Sequence, residues 1–394
     1  MNYLVTGACG QLGCALRLAS SGSRDRWLFT DVCDLSPESF AQLRKMGGEA
    51  VDVATARLDV TNRDSVRKML RDNEIDIVMN AAAYTAVDAA ETHPEEARLL
   101  NVEAPRILAE AVFETGGLLV HISTDYVFGD CLLREAGSVF RPAERKEPDG
   151  EFRLAGITSP EHLAAQAPLG VGGTASAGFS DDRSGSFASG VLLRSDEKVL
   201  AAQAPLGVGG TAPNPWRETD MPSPLGVYGK TKSEGEVAVA ASGCKYMIVR
   251  TAWLYSEFGK NFVKTIMKLT SERPEIRVVD DQFGTPTYAG DLAGTLVKLT
   301  QNYHRSGIWH YTNAGQCSWY QFARAIAEGA GHHDCRIDPC TTADYPTPAR
   351  RPAWSVLDKS RIAEDFGIVP PAWEESLRRC LDRLGHPSGG TETA

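Results

Sequence analysis

The 394-residue chain reads as an α/β protein: a doubly wound parallel sheet with a smaller C-terminal substrate lobe and a long low-complexity insertion. Three observations predict that class. Short apolar runs alternate with helical patterns through the first 125 or so residues. A glycine-rich turn follows the first apolar run directly. After a compositional break the same alternation resumes. Strands separated by helices pair in parallel and leave their ligand sites at the strands' C-terminal ends.

Tyr3–Thr6, Trp27–Thr30, Asp76–Met79 and Leu118–Ser123 read as buried strands, with helices over 64–73 and 95–115. From about 131 to 213, alanine, glycine, serine and charged residues replace the periodic pattern. Within that stretch Leu163–Ala175 recurs identically as Leu200–Ala212, two copies being too few for a solenoid. The segment is expected to be a surface insertion, partly or wholly flexible, with a small binding subdomain as the alternative reading. Order resumes at Trp216, with strands at Lys245–Arg250, Ile276–Val279 and Gly307–Tyr311 and helices over 262–271, 318–330 and 373–384. The expected organisation is therefore a dinucleotide-binding core at 1–130, the insertion at 131–213, the catalytic helix, remaining strands and substrate lobe at 214–387, and a frayed tail at 388–394.

Bulk properties exclude several classes. A net charge of −10 and a pI near 5.4 argue against nucleic-acid or acidic-membrane partners. No apolar run approaches the ~20 residues of a membrane span. Met1-Asn-Tyr-Leu-Val-Thr6 enters a strand without a basic leader, and nine scattered cysteines suit a reducing compartment, so a cytoplasmic protein is expected. His332, His333, Cys335 and Cys340 match no zinc spacing, and no metal is expected.

The first functional signal is Thr6-Gly7-Ala-Cys-Gly10-Gln11-Leu12-Gly13 after the first strand. Glycines at this spacing let backbone N–H groups approach a pyrophosphate at a helix N-terminus, the mark of a Rossmann dinucleotide site. Asp31 ends the second strand, where a carboxylate accepts from the adenine-side ribose and favours NADH, or merely forms a turn. Arg24 and Arg26 precede that strand and could offset it for NADPH. NADPH or NADH is thus the expected cofactor. Leu58-Asp59-Val60 could contact the adenine. Asn80-Ala-Ala-Ala83-Tyr84-Thr85 either approaches the nicotinamide side or packs a helix tightly on a strand.

The second signal is Val227-Tyr228-Gly-Lys-Thr-Lys232. A tyrosine and a lysine four residues apart share one helical face. The ammonium is expected to draw the phenol below its free value near 10, suiting it to exchange a proton with an alkoxide. Thr124 and Asp125 follow the strand Leu118–Ser123, at the same edge as the glycine loop. The Thr124 hydroxyl could donate to a substrate carbonyl, or cap a turn. Thr124, Tyr228 and Lys232 with a dinucleotide loop describe a short-chain dehydrogenase/reductase site.

Many collinear segments resemble one branch of that superfamily, the dTDP-4-dehydrorhamnose reductases. They include residues 6–13 and 80–88, Ser123-Thr-Asp-Tyr-Val-Phe128, Val227–Lys232, Arg250-Thr-Ala-Trp-Leu-Tyr255, Lys260–Thr265, Asp281-Gln-Phe-Gly-Thr-Pro-Thr287 and Tyr345–Pro352. The resemblance spans nearly everything outside the insertion. It implies reduction of the C4 ketone of dTDP-4-dehydro-β-L-rhamnose to dTDP-L-rhamnose. Carried over, it implies cofactor contacts at Gly10, Gln11, Leu12, Asp59, Val60, Ala83, Tyr84, Thr85 and Lys232. Thr124 and Asp125 would bind substrate, Tyr228 would donate the proton, and Trp253 would lie against the sugar. Trp253 also reads as a packing residue. Asn261, Gln282 and Arg351 are further substrate candidates, or loop-positioning residues.

Two departures stand out. Some family members bridge a dimer through a glutamate-held magnesium ion, where this chain has Ala15 and Gly290. A homodimer here is expected to lack that metal-bridged interface. The insertion also separates Thr124 from Tyr228 far more than the family requires, although loop closure grows only logarithmically with length. Two alternatives stay open at this stage. A related nucleotide-sugar epimerase or dehydratase would share the loop and the Thr/Tyr/Lys set, but Tyr126 stands where dehydratases place a glutamate. A non-catalytic, reductase-like regulatory subunit is the other.

Overall fold

A computed structural model describes residues 1–51, 54–130 and 213–386. The expected insertion, apart from Pro213, and the expected tail lie outside the described residues.

The N-terminal half runs β1 (Asn2–Thr6), α1 (Gln11–Ala19), β2 (Arg26–Asp31), α2 (Pro37–Gly47), β3 (Thr55–Arg57), α3 (Arg63–Asp72), β4 (Ile77–Asn80), α4 (Val87–Ala90), α5 (Pro94–Arg98), a π-helical turn (Leu99–Glu103), α6 (Ala104–Thr115) and β5 (Leu118–Thr124). The C-terminal half runs α7 (Val227–Ala241), β6 (Lys245–Thr251), β7 (Leu254–Tyr255), α8 (Phe262–Glu272), β8 (Glu275–Val279), β9 (Phe283–Gly284), β10 (Thr287–Tyr288), α9 (Ala289–Gln301) and β11 (Gly307–His310). β12 (Cys317–Ser318), α10 (Trp319–Gly329), β13 (Arg336–Cys340), α11 (Ser360–Phe366) and α12 (Trp373–Leu384) complete it.

Seven strands form one sheet in the order β11-β6-β5-β4-β1-β2-β3, every pairing parallel. The order reverses between β1 and β4, the switch point at which doubly wound sheets open a ligand crevice. Core strands such as β4, β5 and β6 are buried almost throughout, as strands covered on both faces must be. One face packs Leu12, Ala15, Leu16 of α1 and Leu292, Leu296, Leu299 of α9 on Val5, Met79, Val120 and Val249. The other packs Val66 and Leu70 of α3 and Leu108 and Val112 of α6 on Leu4, Val78, Leu119 and Ile248.

A separate apolar cluster joins Tyr255, Val263, Ile266, Phe322, Ile326, Trp373 and Leu377, the interior of the C-terminal lobe. The helix expected over 95–115 is one continuous path interrupted by the π turn at Leu99–Glu103. Gly235 of α7 crosses there so closely that a Cβ would stand 2.0 Å from the Asn101 carbonyl oxygen. α9, whose Leu292, Leu296 and Leu299 recur at helical spacing, and the two-residue strands of the C-terminal half were not among the expected elements.

Candidate active site

Because the sheet is parallel, the ends of β1, β2, β4, β5 and β6 share one edge, and the residues following them gather there. The glycine loop leads. Gly7 holds φ +65°, and a Cβ on it would lie 2.6 Å from the Ala82 nitrogen. A Cβ on Gly13 would stand 2.4 Å from the Gly7 carbonyl oxygen. Both close approaches exclude side chains, so the loop stays bare backbone against β4's exit. Gly10 stands at the N-cap of α1 without a side-chain cap, which leaves the helix's first N–H groups for an anion. These features fit a dinucleotide pyrophosphate.

Asp31 ends β2 and bonds back to the loop: its Oδ2 accepts from Cys9 N at 2.9 Å, its Oδ1 from Val32 N at 2.7 Å. Arg24 and Arg26 do not flank it. Arg26 bonds Asn73 from the opposite end of β2, because a residue beginning a strand lies at the sheet's other edge. The cation at the correct edge is Arg57, which ends β3 and reaches the Val32 carbonyl and Asp34. Asp59 is exposed and turns in on Thr61, accepting from its amide at 2.9 Å, while Val60 is buried.

Beyond β4, Tyr84 is pinned by Asn101, which sequence reasoning missed. Asn101 Oδ1 accepts from Tyr84 N at 2.9 Å, and its Nδ2 donates to Tyr84 O and to Thr231 Oγ1, each at 3.2 Å. One buried amide thus ties the Ala83–Thr85 loop to α7. Its placement on a π turn had no local signature, since π turns arise from packing.

α7 carries Tyr228 and Lys232 over the end of β5. Its first amide, Val227 N, donates to Glu91 Oε1 at 2.8 Å. A Cβ on Gly229 would meet the Tyr126 carbonyl oxygen at 2.0 Å, so this glycine lets the helix settle on Asp125–Val127. The Tyr228 ring meets that of Tyr126 edge-on at 5.4 Å, and Thr124 acts on its phenol electrostatically. Lys232 is buried and donates to the Ile122 carbonyl at 2.6 Å.

The electrostatics reverse one expectation. Burial raises the Tyr228 phenol to about 12, only partly countered by Thr124, instead of drawing it below 10. Burial also lowers Lys232 to about 8, against the raising influence of Glu236 one turn on. The physical reason is common to both: loss of water disfavours each charged form, and the ammonium is drawn onto a backbone carbonyl. Asp125 is 1% exposed; burial lifts it to about 6, and its Oδ2 has no partner.

The C-terminal half closes over this edge. Thr124 pairs with Thr251 across β5–β6, so Trp253, two residues later, stands beside it. Trp253 adopts φ +46°, unusual for a bulky residue, and stacks on Trp319 with ring centroids 3.5 Å apart over Gly284. Arg351 forms a two-pronged pair with Asp88, at 3.1 and 2.8 Å, and electrostatically faces Tyr126. Gln282 is buried against Thr342 at 3.0 Å. Asn261 caps α8 and donates to Gln11 Oε1 at 3.0 Å and Ser256 O at 2.7 Å. Its amide is thereby occupied in locking the glycine loop's Gln11 to the C-terminal half.

Away from this edge, His332 bonds Thr270, and the His332, His333, Cys335 and Cys340 group does not converge. Ala15 and Gly290 line a common surface pocket with Glu257, Asp291, Arg379 and Arg383. No helix among the described residues is long and apolar enough to cross a membrane.

Comparison with known proteins agrees with this geometry. The family model described as RmlD substrate binding domain matches residues 1–156 and 208–386. A dTDP-4-dehydrorhamnose reductase of Burkholderia thailandensis is 32% identical, covering 98% of this chain and 99% of its own. A crystal structure of a dTDP-4-dehydrorhamnose reductase from Clostridium acetobutylicum superposes with TM-score 0.67 at 32% identity, over 98% of this chain and 100% of that one. The enzyme of that name from Bacillus anthracis, solved in complex with NADP, gives TM-score 0.67 at 28% identity, over 97% and 98%. With a family model and full-length relatives matching almost the whole chain outside residues 157–207, the protein belongs to the dTDP-4-dehydrorhamnose reductase family.

Proposed function

We propose that the protein reduces the C4 ketone of dTDP-4-dehydro-β-L-rhamnose to dTDP-L-rhamnose with NADPH or NADH. The observation that carries this reading is the convergence of Thr124, Tyr228 and Lys232 beside the glycine loop, at the carboxyl edge of one parallel sheet. A reduced nicotinamide supplies the hydride to C4. Tyr228 supplies the proton to the C4 oxygen, and its raised pKa keeps it in the protonated state that reduction requires. Thr124 hydrogen-bonds the same oxygen as negative charge develops on it. Lys232, charged at neutral pH, balances the phenolate that remains and holds the nicotinamide-side ribose. Asp125, with its unpartnered Oδ2, accepts from a sugar hydroxyl, and Trp253 offers an apolar face to the ring.

Asn261 and Gln282 serve as positioning groups and Arg351 faces the site through Tyr126. Glu257 and Asp291, the carboxylates around Ala15 and Gly290, are already paired with Arg383 at 3.6 Å and Arg379 at 2.7 Å. With these carboxylates engaged by arginines, a homodimer, if formed, is read as lacking the metal-bridged interface. The domain division at 130 and 214, and a cytoplasmic location, are part of the same reading.

The test is consumption of NADPH or NADH by folded protein, with the 4-keto sugar nucleotide generated in situ and the product identified by mass and sugar configuration. Absence of turnover with both cofactors refutes the reading.

A further inference from the structure

Cys9 lies inside the glycine loop and Cys33 just beyond β2, and both lie beside Asp31. A sulfur from each and a carboxylate oxygen of Asp31 all lie within 4.8 Å of one another. Among the described residues this is the one place where three such groups converge. They are already mutually engaged. Cys9 Sγ donates to Cys33 O at 3.2 Å, Cys33 Sγ to Asp31 Oδ1 at 3.4 Å, and Cys9 N to Asp31 Oδ2 at 2.9 Å.

We propose that Cys9, Cys33 and Asp31 form a binding site for one thiophilic divalent cation, Zn²⁺ or Cd²⁺, that overlaps the adenosine end of the dinucleotide pocket. Two thiolates, one carboxylate oxygen and a water complete a tetrahedral set. In such a set, metal–sulfur bonds of about 2.3 Å put the sulfurs about 3.8 Å apart, so small side-chain rotations suffice. Binding forms two metal–sulfur bonds and releases the two thiol protons to solvent, with no change in oxidation state. Three anionic ligands around a dication leave one net negative charge, and Arg57, which acts electrostatically on Cys33, lies beside it. Asp31 Oδ2 accepts only one hydrogen bond from the protein and retains a lone pair for the metal.

The consequence is exclusion. Asp31 cannot hold both the cation and the adenine-side ribose, so metal and dinucleotide compete. This second part rests on the cofactor reading; the metal binding does not.

Full-length protein is reduced with a phosphine, desalted and titrated with Cd²⁺ in the absence of dinucleotide. The expected result is a sulfur-to-cadmium charge-transfer absorbance saturating at one ion per chain, lost in Cys9→Ser and Cys33→Ser and kept in Cys244→Ser. Circular dichroism establishes that the variants are folded; Cys33 is exposed, so its variant tests the site even where Cys9→Ser fails to fold. NADPH should weaken Cd²⁺ binding by tenfold or more. Zn²⁺ should raise KM for NADPH at unchanged kcat, an effect relieved in Cys33→Ser. A missing band, or a band that persists in Cys33→Ser, overturns the site. A band indifferent to NADPH in protein shown to bind NADPH overturns the competition.

Discussion

The ammonium of Lys232 sits 2.6 Å from the carbonyl oxygen of Ile122, on the strand that ends in Thr124. This bond joins α7 to the strand beneath it, and it fixes where positive charge stands relative to the Tyr228 phenol. It also explains why a lysine one turn from a tyrosine does not lower the phenol here: the charge is directed down onto backbone while both groups lose water.

Tyr228→Phe deletes the phenol hydroxyl that we propose donates the proton and leaves the ring's contact with Tyr126. We expect kcat to fall by about 10²–10⁴, the usual worth of general acid catalysis. Dinucleotide affinity should stay within a few-fold, checked by nicotinamide fluorescence. Retained turnover would remove Tyr228 from the chemistry.

Lys232 imposes a pH-dependent penalty on folding. Its value is 10.5 when unfolded and about 8 when folded. Below about 8 both states hold the proton and the penalty is complete; between there and 10.5 only the unfolded state holds it, so stability rises with pH. The stability of the native protein relative to Lys232→Met should increase by up to about 3 kcal/mol over that window, by the free energy of the pKa difference. Denaturant titrations at stepped pH values measure it, and a flat difference would contradict it.

Asp125 titrates near 6 because it is buried. As an ionised acceptor for a sugar hydroxyl it should give kcat/KM an acid limb at that pH. Asp125→Asn should flatten the limb and lower the plateau by about 10- to 100-fold, the worth of a hydrogen bond to a charged group. An unchanged limb would assign it to another residue.

Gly235→Ala places a methyl 2.0 Å from the Asn101 carbonyl oxygen, and backbone on both sides prevents easy relief. A loss of about 1–3 kcal/mol in stability is expected from such overpacking. Activity should fall with it, because Asn101 carries the Tyr84 loop. A thermal melt and an activity assay on one preparation decide the matter, and wild-type values in both would refute the contact.

Much of this was legible from residue order alone. The strands from Tyr3, Trp27, Leu118 and Lys245 appear within a residue or two of where apolar runs predicted them. The glycine loop, Thr124, Tyr228 and Lys232 were named from spacing, because each belongs to a strand end or helical turn whose geometry is local. Asn101 was not legible, since a buried amide acquires its role only from the segments it bridges. The same holds for Arg57 against Arg26: strand direction decides which edge each one occupies.

While the family rested on the resemblance of many collinear segments, residue order therefore set the fold class and the types of group at the chemical edge, which depend on periodicity and near-neighbour spacing. Tertiary structure alone decided their charge states. It raised Tyr228, lowered Lys232 and lifted Asp125 toward neutrality, because desolvation is a property of everything packed around a group. It also brought Cys9 and Cys33 together beside Asp31, a meeting that requires β1 and β2 to lie side by side.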